Sequence, residues 1–501
     1  MDQHKKKVIR SVAIIGAGAA GAITAAAFKA ENYYERIRVF ERRDRAGGTW
    51  IYDPDPLPAP PVHPGSLPPD VDPPLKVPEN LPRTVPPNQQ QRYALTPVYS
   101  SLTTNVPDIA MSFSDRRFAY GPFAPHYVPR QYIEDYFSHH KTDSFLVLNT
   151  TVEDVSQLSA DRWRLTLREY DAVRHVDIWW DEEFDAVILA NGHYSVPYVP
   201  QVPGLQTYTT LYPSRVIHSK FYRQPLLYAN KRVLVIGNSA SGHDIAAELV
   251  TAAHLPVYVS RRSRSRWEGP EPPTGIEWKP VIKAYLPDGT ILFSDGSTLA
   301  NIDTVIYSTG YLPSFPFWNS KNGSKNGSKN GSPLWDYAAG RLANNYQHTF
   351  LRDFPTLGVV GIPRVLTFRS FEYQAIALAR LWSGRNTAAL PSLEEQERWE
   401  KERAERKRAE GNKFHDITWD DGETMEWLGV LFRIAGLGTL TGEGRIPPAL
   451  GEELVWAIEH LKKYPEPEKG DESDEHNRGV VETEGDWVVL ERRVKDSLAF
   501  I

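Results

Sequence analysis

Gly16-Ala17-Gly18-Ala19-Ala20-Gly21 spaces three glycines as G-x-G-x-x-G between an apolar run and an alanine-rich one. Such a loop suits one kind of chemistry. Glycines let the backbone turn tightly and approach a pyrophosphate. The helix behind them offers unpaired N–H groups and a partial positive charge to the phosphates. Glu41, with Arg42 beside it, follows twenty residues after the last glycine. A carboxylate there accepts hydrogen bonds from ribose hydroxyls. A degenerate second copy, Gly237-Asn238-Ser239-Ala240-Ser241-Gly242, has Ser239 for the middle glycine and runs on into His243 and Asp244. Eighteen residues past Gly242 comes Ser260-Arg261-Arg262, with Arg264 and Arg266 close behind. An acid there would repel a 2′-phosphate, whereas arginine offers it a bidentate fork. The plainer alternative is a solvated basic turn at a strand end. The contrast assigns an unphosphorylated ribose, as in FAD or NAD, to the first site and NADPH to the second. One chain holding FAD and NADPH passes hydride from nicotinamide to flavin.

Both loops need a strand in front and a helix behind. Val12 to Ile15 reads as the first strand, Ala19 to Ala30 as a helix of high propensity, and Ile37 to Phe40 as the next strand. Arg232 to Ile236, Ser241 to Val250 and Val257 to Val259 repeat the arrangement about 220 residues later. Asp185 to Ala190 has the pattern of a further buried strand. The expected fold is α/β with two Rossmann-like dinucleotide-binding domains. Residues 1–202 form the first part of an FAD-binding domain, 203–325 an inserted NADPH-binding domain, and 326–501 the second part with C-terminal helices.

Between the motifs lie segments of other character. Pro54 to Pro87 holds 14 of the 40 prolines and reads as an extended surface loop, either a lid or a disordered linker. Residues 319–332 carry three Lys-Asn-Gly-Ser copies, expected to be a solvent loop, with sequons at Asn322, Asn326 and Asn330. Ser392 to Glu410 reads as a charged helix with a Ser392–Glu395 capping box, a Gly411 stop and a solvated face. Residues 465–479 read as an exposed linker to a last strand around Trp487 to Leu490.

Composition sets the outer limits. The chain has 501 residues, 57 Lys+Arg against 63 Asp+Glu, and a net charge of -6, which leaves no electrostatic footprint for nucleic acid. The cysteine count of zero excludes disulfide frameworks, thiolate metal sites and the dithiol relay that many two-nucleotide flavoproteins use. Quinone, protein or O2 then remain as acceptors for the electrons. His193 and His348 lack ligand spacing, so no metal site is expected. The basic N-terminus before an apolar run superficially resembles a signal peptide, but its fixed glycines favour the nucleotide reading, and a cytoplasmic protein off the membrane is the default. A homodimer is left open.

Tyr212-Pro213-Ser214-Arg215-Val216-Ile217-His218-Ser219-Lys220-Phe221-Tyr222 resembles F-x-G-x-x-x-H-x-x-x-F/Y, the signature of flavin-containing monooxygenases. Gly47-Gly48-Thr49-Trp50 looks like that family's second FAD contact, and Leu102-Thr103-Thr104-Asn105-Val106-Pro107 like its L-x-T-N-x-P segment. Asn191 to Tyr194 and Ser308 to Tyr311 resemble its G-H-Y and T-G-Y turns, and the details look most like compact fungal, yeast-type members. Tyr212 and Ser214 depart from the family's Phe and Gly. The resemblance implies FAD, NADPH and O2, with oxygenation of a soft sulfur or nitrogen of a small molecule through a C4a-hydroperoxyflavin. It implies Asn105 as the residue at the reacting oxygen, with Thr104 and Val106 at the flavin. His218 is read as a brace between nucleotide domains rather than a base, and Asn105 as a turn residue is the competing view. Tyr222, where Baeyer–Villiger relatives usually carry Trp, favours heteroatom oxygenation. A Baeyer–Villiger oxygenase and an NADPH-dependent reductase serving a quinone or protein are the alternatives.

Overall fold

Strand β1 (Ser11–Ile15) is a short β-branched run with Val12, Ala13 and Ile14 wholly buried, as expected of a strand covered on both faces. Helix α1 (Ala19–Ala30) follows the glycine loop, and β2 (Arg36–Phe40) returns parallel to β1. On the other side of β1 lies β3 (Ala186–Leu189), also parallel and fully buried. The computed structural model describes residues 8–464 except 56–57, 91–92, 160, 266, 324–330, 364, 367 and 437–442, together with the strands Arg478–Glu484 and Trp487–Arg492. The expected last strand falls within the second of these, whereas most of the expected linker lies outside the described residues.

The chain then leaves this sheet and builds a second one. Its strands β4 (Val216–His218), β5 (Arg232–Ile236), β6 (His254–Ser260), β7 (Ile276–Lys279) and β8 (Thr304–Tyr307) stand in the order β4-β8-β5-β6-β7, all parallel. Helix α2 (Ala240–Leu249) joins β5 to β6. The chain re-enters the first sheet through the short antiparallel strands Asn345–Tyr346 and Phe350–Leu351 and then β9 (Leu357–Val359), which pairs parallel with β3. Helix α3 (Phe368–Ser383) then packs on α1, whose alanines allow close approach. Two Rossmann-like units in one chain give the doubly nucleotide-binding α/β fold. A four-stranded antiparallel sheet built from Arg83–Val85, Thr150–Ser159, Arg162–Asp171 and Val176–Phe184 flanks the first unit.

Three expectations need correction. The proline-rich segment is neither featureless nor detached. Pro68–Val71 forms a helical turn with prolines in its first two positions, where the missing N–H groups cost nothing. Arg83–Val85 is an edge strand, the one place where flanking prolines are tolerated. Buried Asp72 accepts a hydrogen bond from Ser314 at 2.7 Å, tying the segment to the body of the protein.

The charged helix α4 (Leu393–Ala409) has its Ser392–Glu395 box, but Gln396, Glu400, Arg403 and Lys407 form a buried stripe rather than a solvated face. Lys407 meets Glu423 at 2.7 Å and Arg352 meets Glu400 at 2.6 Å. Burial alone would raise the Glu423 carboxyl. Hydrogen bonds from Lys407, the Thr418 amide and Arg403 outweigh it and pull the pKa down to about 2.

The first Lys-Asn-Gly-Ser copy is not solvent-borne. Asn322 is buried, donating to the Val155 carbonyl at 2.8 Å and accepting from the Gln157 amide at 2.8 Å, so its sequon is closed. Asn326 and Asn330 lie outside the described residues.

Candidate functional site

The first glycine loop is fixed by close backbone contacts. Gly16 has φ +106, and a Cβ there would sit 2.6 Å from the Ala190 carbonyl oxygen. A Cβ on Gly21 would lie 1.9 Å from the Gly16 oxygen. Gly18 caps α1 without a side-chain bond, so Ala17, Ala19 and Ala20 bring bare backbone to the helix start. Gly48 lies so close that its Cβ would fall 2.7 Å from the Gly18 Cα. The Gly47 amide donates to the Ala17 carbonyl at 3.0 Å. Thr49 and half-buried Trp50 continue in a short 3-10 turn beside the loop. Glu41 is buried at the end of β2, one oxygen receiving the Ala17 amide at 2.9 Å and the other the Arg43 amide at 3.0 Å. Each oxygen keeps lone-pair capacity for a ribose hydroxyl. Arg42 is exposed and donates to the Tyr93 carbonyl at 3.4 Å. This uncapped helix end, with crowded glycines and a buried acid, fits the adenosine diphosphate half of FAD.

The Leu102–Pro107 segment divides cleanly. Thr104 is used structurally: its amide donates to the Ala124 carbonyl at 2.8 Å, and its hydroxyl accepts from the Ala124 amide at 3.0 Å. Val106 packs against the core. Asn105 is exposed, and among the described residues its side chain has no hydrogen-bond partner. Its amide is open to solvent and free to meet a ligand.

The second loop repeats the first. Gly237 has φ +100 with a virtual Cβ 2.8 Å from the Ser308 oxygen, and a Cβ on Gly242 would lie 1.9 Å from the Gly237 oxygen. Ser239 is the N-cap of α2, with no capping bond from its side chain, and Ser241 follows in the first turn. Further along α2, His243 and Asp244 are engaged by other parts of the protein. The His243 ring lies 4.9 Å from Tyr464 and 5.9 Å from Trp267. Asp244 accepts from the Tyr99 and Tyr464 hydroxyls and pairs with Lys463 at 3.3 Å.

Ser260 is buried, donating to the Pro280 carbonyl at 2.8 Å. Arg261 and Arg262 line an open cleft of about 360 Å³ together with Arg264, Trp278 and Lys279. The register of β6 on β7 sets Trp278 beside Val259 and Lys279 beside Ser260. A cationic cleft at the end of the second βαβ unit fits a 2′-phosphate. Sequence reasoning missed Trp278, Lys279 and Glu268. Only the pairing of β7 brings the first two in, and Glu268 comes from the loop between β6 and β7. Arg266 lies outside the described residues.

The signature segment joins the two units. Ser214 adopts φ +64, the left-handed region where the family's glycine costs nothing. His218 is buried; its Nδ1 accepts from the Lys220 amide at 3.0 Å. Burial and the Lys220 cation push its pKa down to about 3, so it stays neutral. Lys220 and Arg223, also missed, are buried cations with carbonyl partners. Lys220 Nζ reaches the Ser195 carbonyl, and Arg223 reaches those of Asp53 at 2.7 Å, Tyr222 at 2.8 Å and Thr96 at 3.3 Å. Burial, with Arg42 and Arg43 nearby, lowers the Lys220 pKa well below its usual range. The Tyr222 hydroxyl donates to Glu248 of α2 at 2.7 Å. Part of the proline-rich segment, Pro60 to His63, lies over His218 around a cavity with room for one water.

His193 Nδ1 lies 3.0 Å from the Gly361 carbonyl, and His348 pairs with His415 at 2.8 Å. Asp115, His139 and His140 converge at a helix end, where Arg445 pairs with the same carboxylate at 2.9 Å.

Two dinucleotide cradles joined by a buried signature strand define a two-domain flavoprotein oxidoreductase. The family of flavin-binding monooxygenase-like proteins matches residues 88–268, and NAD(P)-binding Rossmann-like domains match residues 14–60. The flavin-containing monooxygenase FMO GS-OX5 of Arabidopsis thaliana is 33% identical over 397 residues, spanning 77% of this chain and 76% of that protein. The flavin-containing monooxygenase iboF of Amanita muscaria is 29% identical, spanning 76% and 80%. Among solved structures, the S-allyl-L-cysteine S-oxygenase of Allium sativum matches 91% of this chain and 92% of its own, with a TM-score of 0.69 and 27% identity. The chain belongs to the flavin-containing monooxygenase family and is an FAD- and NADPH-dependent monooxygenase. A plant relative stands above the fungal one, so the expected affinity with yeast-type members finds no support. Among the described residues no helix is long and apolar enough to cross a membrane.

Proposed function

We propose that this monooxygenase places one oxygen atom on a soft sulfur of a small molecule, with nitrogen as the second class of acceptor. The balance is substrate, O2, NADPH and a proton giving the S-oxide, water and NADP+. The observation that carries the reading is the match over 91% of the chain to an S-oxygenase. Tyr222 at the end of the signature supports it over ketone insertion. When bound, the flavin supplies the activation of O2.

The chain's own residues do the rest. Gly16 to Gly21, Glu41 and Gly48 to Trp50 hold the FAD, with Arg42 at its rim. The Asn105 amide donates to the oxygen being transferred, flanked by Thr104 and Val106. Gly237, Ser239, Ser241 and Gly242 take the NADPH pyrophosphate, and Ser260 to Arg262 its 2′-phosphate. The proline-rich segment over the signature strand keeps water from the junction. The chain divides into an FAD unit of residues 1–202 and 326–501 and an NADPH unit of 203–325, a division supported by a first sheet that closes only at β9. The net charge of -6 supports a protein without nucleic-acid partners.

The test measures NADPH oxidised, O2 consumed and product formed with a thioether, a tertiary amine and a cyclic ketone. The expected result is sulfoxide matching NADPH one for one. In Asn105→Ala, product should fall at least about tenfold while hydrogen peroxide rises, as for loss of one preorganised donor. Lactone from the ketone with no sulfoxide would establish the Baeyer–Villiger reading. NADPH oxidation that only an artificial acceptor sustains would establish a reductase.

A further inference from the structure

Arg261 is not a free cation. Its Nη1 lies 2.8 Å from Glu268 Oε2, and its guanidinium lies 3.5 Å from the centre of the Trp278 ring. The same Glu268 oxygen accepts from Asn238 Nδ2 at 2.9 Å and from the Ser265 amide at 2.8 Å. Asn238 belongs to the second glycine loop. Glu268 is 8% exposed, with three donors converging on one oxygen. It therefore links the pyrophosphate loop to the arginine turn, and it puts a fixed negative charge where the sequence motif shows only positive ones.

We infer that Glu268 sets the coenzyme preference of the second cradle, holding Arg261 in place while offsetting part of its charge. This rests on the proposal that Ser260 to Arg262 receive the 2′-phosphate. A phosphate arriving there shares Arg261 with a buried carboxylate and is repelled by it, whereas the bare ribose of NADH meets no such opposition. Glu268 thus narrows the margin between NADPH and NADH. It is a positioning and specificity residue, not a catalytic one, because it touches neither reacting atom.

The test is equilibrium binding of NADP+ and NAD+ to the flavin-loaded protein, read by calorimetry independently of turnover. Glu268→Gln keeps an acceptor of the same shape and removes the charge. It should raise the ratio of NADP+ to NAD+ affinity about five- to tenfold, the size of one nearby charge acting on a phosphate across a partly screened gap. Glu268→Asp keeps the charge and should leave the ratio within about twofold. Asn238→Asp adds a carboxylate at the same point and should lower the ratio about fivefold, which keeps the test decisive if Glu268→Gln does not fold. A Glu268→Gln ratio equal to or below wild type would overturn the inference, as would an equal rise in Glu268→Asp or an unchanged ratio in Asn238→Asp. Arg261→Ala separates the underlying reading: if it leaves the ratio unchanged, the 2′-phosphate site itself is misplaced.

Discussion

The two cradles share a backbone and differ in what surrounds it. Gly16 and Gly237 adopt φ +106 and +100, each against the carbonyl just past a neighbouring strand, and a Cβ on Gly21 or Gly242 would lie 1.9 Å from its own loop's oxygen. At the middle position the two part company. Gly18 and Ser239 have nearly the same extended backbone, φ -80 and -83, which any residue adopts. Gly18 has the Gly48 Cα 3.4 Å from where its Cβ would be. Glycine is thus retained in both copies where the protein's own chain crowds it. Where only a partner loop crowds, one copy has released it.

That comparison can be broken most forcefully at the last glycines. Gly21→Ala and Gly242→Ala should each cost at least about 2 kcal/mol locally, since a methyl cannot share space with a carbonyl oxygen. The first should lose flavin, read from visible absorbance per chain. The second should retain flavin and lose NADP+ binding in titration. Flavin loss from Gly242→Ala would show that the cradles are not independent.

The middle positions give a smaller contrast. Gly18→Ser should cost about 1 kcal/mol or more of flavin affinity through its crowding of Gly48. Ser239→Gly should change NADP+ affinity by less than about twofold. Equal effects at both would mean that the ligand, not Gly48, decides the residue. The smallest effect is expected in the turn before β4. Ser214→Gly relieves a left-handed serine and should raise stability by about 0.5 kcal/mol net of the added freedom of the unfolded chain, read from the thermal midpoint.

What could be read beforehand follows the same division. The glycine loops, their strands and α1 were legible because local spacing determines them, and Ser392 with Glu395 announced its own helix start. The misreadings came where distant chain decides. Lys407 and Arg403 look solvated until Glu423, sixteen and twenty residues on, is folded against them. Glu268 was invisible because no spacing rule connects a loop acid to Asn238, thirty residues earlier. Lys220 sits inside a recognised signature and Arg223 one residue past it, yet their burial against carbonyls depends on distant segments, Tyr93 and Ser195 for the first and Asp53 and Thr96 for the second. Asn105 is proposed on resemblance alone, since an exposed asparagine two residues before a proline has no pattern of its own.

The order of strands in the two sheets has a consequence for biosynthesis. Every strand of the second sheet has been synthesised once Tyr307 has emerged, whereas the first sheet opens with Ser11 and lacks β9 until Val359 is made. On the ribosome the NADPH unit can therefore close while β3 waits with an apolar edge uncovered, the kind of edge that invites non-native pairing. The flavin-binding half, though begun first, is finished last, and its nascent form is the stage at which a chaperone would be most needed.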